Sequence, residues 1–403
     1  MQAVILAAGK STRTYPLTLT RPKPLLKVAN KTIIEHNLEQ LSGLVDEVII
    51  VVGYKSEMIK DFLNDKFGKI KIKYVVQSDV IGNADALKLV EKEIKGKFIL
   101  MFGDDLYSKK DIKNLLRFDN AILAQKVKTP ENFGVLKINK NIFCEVVEKP
   151  KEFISDLVNI GCFVFSKKIF DVLSEIKLSS RNEYELTDAY NLMAKKHKIY
   201  VVQVEDYWLP ITYPWNLLEA NEYIIKNSKN SKNKKVVIEQ FTTVGKKVFV
   251  GKNTVIKSGS YIEDGVIIGN DCKIGPNCYI RRYSTIGNNC HIGQSVEIKN
   301  SIIGDDSNVA HLSYVGDSVI GNNVNFGAGT VAANLRHDGK NVKCMINGNL
   351  VDSGKMKLGI LVGDNCKIGI NNSFYPGVKI DSGFMTLPRE VIKKDLIQNN
   401  FKQ

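Results

Sequence analysis

The chain has no apolar run approaching the roughly 18 residues that a membrane-spanning helix needs, so no such helix is expected, and a soluble protein without a membrane partner is the expectation. Its opening MQAVILAAGK carries an apolar stretch with no basic segment before it and no small-residue cleavage pattern after it, and export is not expected. The seven cysteines are odd in number and none forms a CxxC pair. Neither a disulfide framework nor a zinc ribbon is indicated, and a reducing, cytoplasmic compartment fits.

Acidic residues are the minority, 43 against 57 basic, for a net charge of +14. Such a balance admits nucleic-acid binding. The lysines, however, are spread along the whole chain, and the one dense run, KNSKNSKNKK at 226–235, lacks interleaved aromatics. It reads as a solvated linker. No nucleic-acid partner is expected, and a basic surface suits phosphorylated small substrates equally well.

What is present is ordinary globular composition, 44% hydrophobic and 25% charged, over 403 residues. That length exceeds what one hydrophobic core usually serves and favours two domains. From Gln2 to about Lys226, the apolar runs AVILAA, EVIIVVGY, IKYVVQ and FILMFGDD alternate with helix-period segments. Strands alternating with helices imply a mostly parallel sheet covered on both faces. Ligands bind such sheets at the carboxyl ends of the strands, here the loops after Ala8, Gln77 and Phe102.

After residue 235 the period changes. Val244, Val250, Ile256, Ile262, Ile268, Ile274, Ile280, Ile286, Ile292 and Ile298 are successive sixth residues, most followed by glycine. The pattern resumes at Ile303, Val309 and Val315, at Ile320 and Phe326, and at Val362, Ile368, Phe374 and Ile380. This is the hexapeptide repeat of a parallel β-helix, in which branched residues point into a prism and Gly, Asn and Asp turn its corners. Cys272, Cys278, Cys290 and Cys366 each follow an anchor by four residues, where small side chains fill the coil. The interruption at 332–361 is too long for a corner and should project. The segment 387–403, with Pro388 before REVIKKDLI, is expected to form a short amphipathic helix. The expected division is 1–226, a linker at 227–235, the coil at 236–386 and this tail.

The first loop reads LAAGKSTRTYPLTLTRPKPLL (6–26). Its GKST is not a P-loop, because the first glycine of GxxxxGK[ST] would fall at Val4, and it is not GxGxxG. It does contain a small-residue turn that lets backbone N–H groups approach phosphates, with Arg13 and Lys23 as fixed cations. The loop resembles the sugar-1-phosphate nucleotidylyltransferase signature LAAGxGTRxxPLTxxxPKPLL, matched almost throughout. That resemblance implies a Rossmann-like α/β domain in which a sugar-1-phosphate oxygen attacks the α-phosphorus of a nucleoside triphosphate and pyrophosphate leaves. Positioning and charge neutralisation supply the rate of such transfers. It further implies that Leu6, Ala8, Gly9 and Arg13 hold the nucleotide and Lys23 stabilises charge at the α-phosphate. Gln77 would bond the base, beside Gly82 and Asn83, and Asp104 would ligate Mg²⁺ through a hard carboxylate oxygen. NFGV (132–135), EKP (148–150) and NIG (159–161) resemble sugar-contacting segments, which carries over Gly134, Glu148, Lys149 and Asn159. Two positions depart from the pattern. Asn83 stands where the family usually has Thr, and Pro210 in YWLPITYPWN stands where a second metal-binding Asp belongs.

Within the repeat, HLSYVGDSVIGNNVNFGAGTVAANLR (311–336) resembles the acetyltransferase half of the bifunctional enzymes that acetylate glucosamine 1-phosphate and then uridylylate it. Acetyl transfer from a thioester to an amine needs a base and donors for an oxyanion. By this resemblance His311 is the base; His36, His197, His291 and His337 have no such context. Arg281 and Lys299 match cations that hold the sugar phosphate, and Glu297 lies near for a hydroxyl or amine. Tyr314 and Asn325 match residues around the amino sugar, while Asn334 and the Ala328 backbone match contacts to acetyl-CoA. Leu335, Lys340 and Lys343 resemble archaeal relatives, whose acceptors include galactosamine 1-phosphate. The resemblance also implies a left-handed coil and a homotrimer with sites between subunits. Two other readings stand beside the bifunctional enzyme. In one, only the acetyltransferase half is active, since Pro210 touches only the other. In the second, the chain is a non-catalytic regulator like the subunits of a eukaryotic translation-initiation exchange factor with the same domain pair; joint retention of Arg13, Lys23, Asp104, Lys299 and His311 speaks against it.

Overall fold

Four apolar segments form a run of parallel neighbours within a ten-stranded sheet. Gln2–Ala7 pairs in parallel with Glu47–Val52 on one side and Phe98–Phe102 on the other, and Glu47–Val52 pairs in parallel with Ile70–Val76. Ala3 to Ile5 and Val48 to Val52 have no exposed surface, as strands covered on both faces require. The computed structural model describes residues 1–228 and 236–398. The expected linker, 227–235, lies outside the described residues apart from its first two positions.

Farther along the sheet, parallel pairing gives way. Leu157–Phe165 runs antiparallel to Phe98–Phe102 and to Ala121–Lys126, and the hairpin Gly134–Asn139 with Ile142–Glu148 extends that edge. The register sets Cys162 opposite Met101 and Val135 opposite Val158. Gly134 and Asn159 thereby reach the edge where the parallel strands end. Beneath the sheet Phe98 stacks on Phe170 at 5.7 Å, and Phe143 meets Tyr190 edge-on at 5.3 Å. Among the described residues no helix is long and apolar enough to cross a membrane.

The repeat folds as three parallel sheets of two- to four-residue strands. Each coil takes three six-residue segments, so Val255 pairs with Lys273 and Tyr261 with Tyr279. Later coils drop one residue at a corner, and Thr285 pairs with Ile302. From Val250 to Ile380 the expected anchors are at most 3% exposed. Each buried Val or Ile contributes about 1.5–3 kcal/mol by area removed from water. Cys272, Cys278, Cys290 and Cys366 lie in this core as expected, the thiols of Cys272, Cys290 and Cys366 directed at backbone carbonyls such as Gly287 O, 3.1 Å from Cys272 Sγ.

The interruption projects in part, and the expected tail helix is corrected. The interruption at 332–361 holds an antiparallel hairpin, Lys343–Ile346 with Asn349–Asp352. Its tip is exposed at Leu350, but its base lies on the coil, where Val342 and Cys344 are buried and Cys344 Sγ meets Gly377 O at 3.4 Å. The tail is not a helix over its described residues. Val391–Ile392 pairs in parallel with Ser373–Phe374, and Leu396 bridges to Ile380. A helix this short is marginal in water, whereas the last coil offers unpaired backbone groups and room for Ile392 in the core.

By compactness the chain divides into Met1–Lys10 with Ile33–Pro210, and Ser11–Thr32 with Ile211 onward. The segment 11–32 and the helix Asn216–Asn227 therefore belong with the coil. Asn221 on that helix accepts from Thr285 Oγ1 and Ala29 N, both at 2.8 Å. Lys27 Nζ lies 2.5 Å from Asp305, and Leu17, Leu26 and Leu217 face Ile302 and Val319 around a cavity of about 40 Å³.

Candidate active sites

In the first unit, Ala8 and Gly9 follow Gln2–Ala7, Gln77 follows Ile70–Val76, and Asp104 lies two residues past Phe98–Phe102. All stand at the carboxyl edge of the parallel strands, as expected. Leu6 O accepts from Gly103 N at 2.9 Å and Ala8 O from Tyr54 N at 2.9 Å, which locks the neighbouring loops together. Gln77 is buried, and its amide nitrogen donates to Gly82 O at 3.0 Å and to Asp85 at 2.8 Å. Both N–H groups are engaged, which leaves its carbonyl oxygen as the acceptor of this side chain. Gly82 has φ 119°, and a Cβ there would stand 2.3 Å from Tyr184 O, so only glycine fits. Asn83 Oδ1 accepts from Leu186 N at 2.7 Å, and the departure from Thr fixes a helix start.

On the same edge Gly134 pairs with Glu148, and Lys149 N donates to Phe133 O at 2.9 Å. Asn159 donates to the Tyr190 hydroxyl at 3.0 Å and accepts from Gly161 N at 2.9 Å. Burial, with the Glu148 charge, holds the Tyr190 phenol well above its ordinary value. Tyr190 thus supports Asn159 from the core, a role that sequence reading missed because a Tyr on an amphipathic helix reads as packing.

Asp104 is half-buried beside Asp105, which accepts from Trp208 Nε1 at 3.0 Å. Leu209 pairs with Leu106, so Pro210 comes next, opposite Asp105 and beside the Asp104 loop. Among the described residues no three His, Cys, Asp or Glu side chains cluster as a metal cage. A single hard carboxylate suits Mg²⁺, which keeps waters and phosphate oxygens as its other ligands. Arg13 and Lys23 lie in the segment that belongs with the second unit, Arg13 exposed and Lys23 buried.

On the coil, one sheet stacks Tyr279, Glu297, Tyr314 and Val331 as outward neighbours. Arg281 binds Glu297 at 2.9 Å and lies over the Tyr279 ring at 5.5 Å. Asn334 Nδ2 donates to the Tyr314 hydroxyl at 3.0 Å, and Lys299 Nζ lies 2.9 Å from Asp317. Five residues expected at the amino-sugar and acetyl-CoA site, Arg281, Glu297, Lys299, Tyr314 and Asn334, are thus brought together. Burial, with the Asp317 and Glu297 charges, raises the Tyr314 phenol, so it stays a proton donor.

His311 is exposed on the adjoining sheet, opposite Gln294 and round the corner at Leu312. Its carbonyl accepts from Gly329 N at 3.4 Å, which brings Ala328 alongside, and the Ala328 carbonyl accepts from Asn371 N at 2.8 Å. Asn325 lies exposed on the His311 sheet, stacked on Asn308, apart from the Tyr314 face. His291 pairs with Asn308 on this sheet. Burial first, then the charges of Lys273, His311 and Lys257, lower its pKa. The repeat places His291 near His311, a proximity that a motif search for isolated histidines does not detect.

Residues 2–227 match the family model described as nucleotidyl transferase, and residues 262–355 match that of the GMPPB C-terminal domain. The bifunctional protein GlmU of Methanocaldococcus jannaschii is 40% identical over 402 residues, 100% of this chain and 97% of the relative. The bifunctional sugar-1-phosphate nucleotidylyltransferase/acetyltransferase of Sulfurisphaera tokodaii is 40% identical over 405 residues, 100% of this chain and 99% of the relative. The chain belongs to this family of bifunctional sugar-1-phosphate nucleotidylyltransferase/acetyltransferases. A putative glucose-1-phosphate thymidylyltransferase from Bacillus anthracis superposes with a TM-score of 0.52 at 27% identity, over 58% of this chain and 98% of that one. Members of the family are transferases, and the chain is an enzyme of that class.

Proposed function

We propose that the chain makes nucleotide-activated N-acetylamino sugars by two kinds of transfer, one in each domain. In the first, within residues 236–386, the amine of glucosamine or galactosamine 1-phosphate attacks the thioester carbonyl of acetyl-CoA. The C–N bond forms, the C–S bond breaks, and His311 takes the amine proton and returns it to the departing sulfur, so that coenzyme A leaves as the thiol. Arg281 and Lys299 take the phosphate, Glu297, Tyr314 and Asn325 the sugar, and Asn334 and the Ala328 backbone the acyl donor. A convex prism corner separates His311 from Tyr314, so a second copy of the chain supplies the opposite wall, in a homotrimer.

In the second, within residues 1–226, a sugar-1-phosphate oxygen attacks the α-phosphorus of UTP or dTTP and pyrophosphate leaves. Arg13 and Lys23 neutralise the triphosphate, the Leu6, Ala8 and Gly9 backbone approaches it, and Gln77, Gly82 and Asn83 line the base. Gly134, Glu148, Lys149 and Asn159 orient the sugar. Mg²⁺ would supply further charge neutralisation, held by Asp104. The seven free cysteines suit a cytoplasmic location.

The observation that carries the reading is the joining of Lys299, Tyr314 and Asn334 on one coil face beside the Arg281–Glu297 pair. Purified protein with acetyl-CoA, UTP or dTTP, Mg²⁺ and a panel of amino-sugar 1-phosphates should yield a nucleotide-linked N-acetylamino sugar by mass, with free coenzyme A and pyrophosphate. Absence of any acetylated sugar phosphate overturns the reading. Pro210 favours a second one, acetyl transfer alone, for which acetylation proceeds and no pyrophosphate appears.

A further inference from the structure

Asp317 was given no role by the motif, yet it lies at the centre of the coil cluster. It is 5% exposed and has φ 48°. Its carboxylate accepts from Lys299 Nζ at 2.9 Å, Asn300 Nδ2 at 2.8 Å and Asn334 Nδ2 at 2.5 Å. Its backbone is pinned as well: its N–H donates to Lys299 O and its carbonyl accepts from Gly359 N, both at 2.8 Å. A buried carboxylate persists only with such partners.

We propose that Asp317 is a positioning residue of the acetyl-transfer site, fixing the Lys299 ammonium and the side-chain orientation of Asn334; this rests on the acetyl-transfer reading above. The argument follows from the donor inventory. Asn334 gives one N–H to Asp317 and one to the Tyr314 hydroxyl, so its carbonyl oxygen is turned away from both and offered to a ligand N–H. The Tyr314 hydroxyl accepts from Asn334 and therefore directs its own proton outward. Lys299 spends one of three N–H donors on Asp317 and keeps two for phosphate oxygens. One carboxylate thus sets three outward groups: an acceptor, a neutral donor and a cation. Gly316 makes the arrangement possible, because a Cβ there would stand 2.4 Å from the Tyr314 hydroxyl and 2.8 Å from Asn334 Nδ2.

The test uses the full-length protein and acetylation kinetics with glucosamine 1-phosphate or galactosamine 1-phosphate, whichever the wild type accepts. Asp317→Asn keeps the shape but faces Lys299 and Asn334 with an amide. The KM for the sugar phosphate should rise about 10–100-fold, the change expected for a lost hydrogen bond to a charged group, while kcat falls less and keeps its pH profile. A merely structural role would lower the active fraction, and so kcat, with KM unmoved; that result overturns the proposal. If Asp317→Asn does not fold, Lys299→Met with Asp317→Asn removes both buried charges and is compared with Lys299→Met alone. The KM of the double variant is expected to exceed that of Lys299→Met by less than Lys299→Met exceeds the wild type, because Lys299 carries the action of Asp317 on the phosphate and only the Asn334–Tyr314 arm is left to lose. A further rise as large as the one caused by Lys299→Met overturns the proposal. A wild type that acetylates neither acceptor overturns the acetyl-transfer reading itself.

Discussion

Arg21 and Asp364, 343 residues apart in sequence, form an ion pair whose side chains are 15% and 8% exposed. Asp364 also accepts from Thr20 and from Asn322 N at 2.7 Å, so one carboxylate ties segment 11–32 to the coil. Asp364→Ala leaves the Arg21 charge buried without its partner. It should lower unfolding free energy by about 3–5 kcal/mol, read from urea midpoints, and Arg21→Met with Asp364→Leu should lose much less. Equal losses in the two would show that the charge is solvated in the single variant.

That pair also marks what the sequence does not reveal. The sheet core and coil were legible because continuous apolar runs and a period of six are local signals, and Val250 to Ile380 fall where the repeat places them. The apolar strand runs located the loops after Ala8, Gln77 and Phe102, and with them Gly9 and Asp104, at strand ends. Arg13 and Lys23 were legible as cations, but their grouping with the coil depends on Arg21–Asp364 and Lys27–Asp305, long-range pairs with no sequence spacing. The tail was misread because REVIKKDLI has a helical pattern, and the competing coil edge exists only after folding. Asp317 was passed over because an Asp at a coil corner reads as turn chemistry.

His311→Ala should lower the acetylation rate about 10²–10⁴-fold, the usual cost of losing a positioned base. Nucleotidyl transfer to an already acetylated sugar phosphate should be unchanged in the same preparation. A variant that acetylates at the wild-type rate removes His311 from the chemistry.

His291 makes a pH-dependent contribution of known sign. Its pKa is lowered in the fold by burial and then by Lys273, His311 and Lys257, so the unfolded chain binds the proton more tightly. The stability involved is fully present above the unfolded value near ~6.5 and is lost as pH falls through it toward the folded value. His291→Gln removes this penalty. Relative to wild type, its urea midpoint should be higher at pH 5.5 than at pH 8. An offset identical at both pH values would show that the imidazole is protonated as easily in the fold as in the unfolded chain.

Pro210 bears on the other transfer. The pairing of Leu209 with Leu106 puts Pro210 opposite Asp105 at the Asp104 loop, and proline brings no donor side chain. The nearby carboxylate is committed, since Asp105 accepts from Trp208. Mg²⁺ demands near-octahedral oxygen ligands and is usually held by one or two carboxylates with phosphate oxygens. With Asp104 as the one family-matched ligand, the ion must rely on triphosphate and water, and nucleotidyl transfer should require high Mg²⁺ to saturate. Neither Asp206 nor Asn216 matches the spacing of a second ligand. Asp206 precedes the strand Trp208–Leu209, and Asn216 is tied to Tyr213 N at 2.8 Å and Glu219 at 2.9 Å. Pro210→Asp should therefore raise pyrophosphate release at low Mg²⁺ and leave acetylation untouched. Wild-type transfer that already saturates at low Mg²⁺, with no gain in the variant, would show that the position opposite Asp105 is not a metal ligand in this chain.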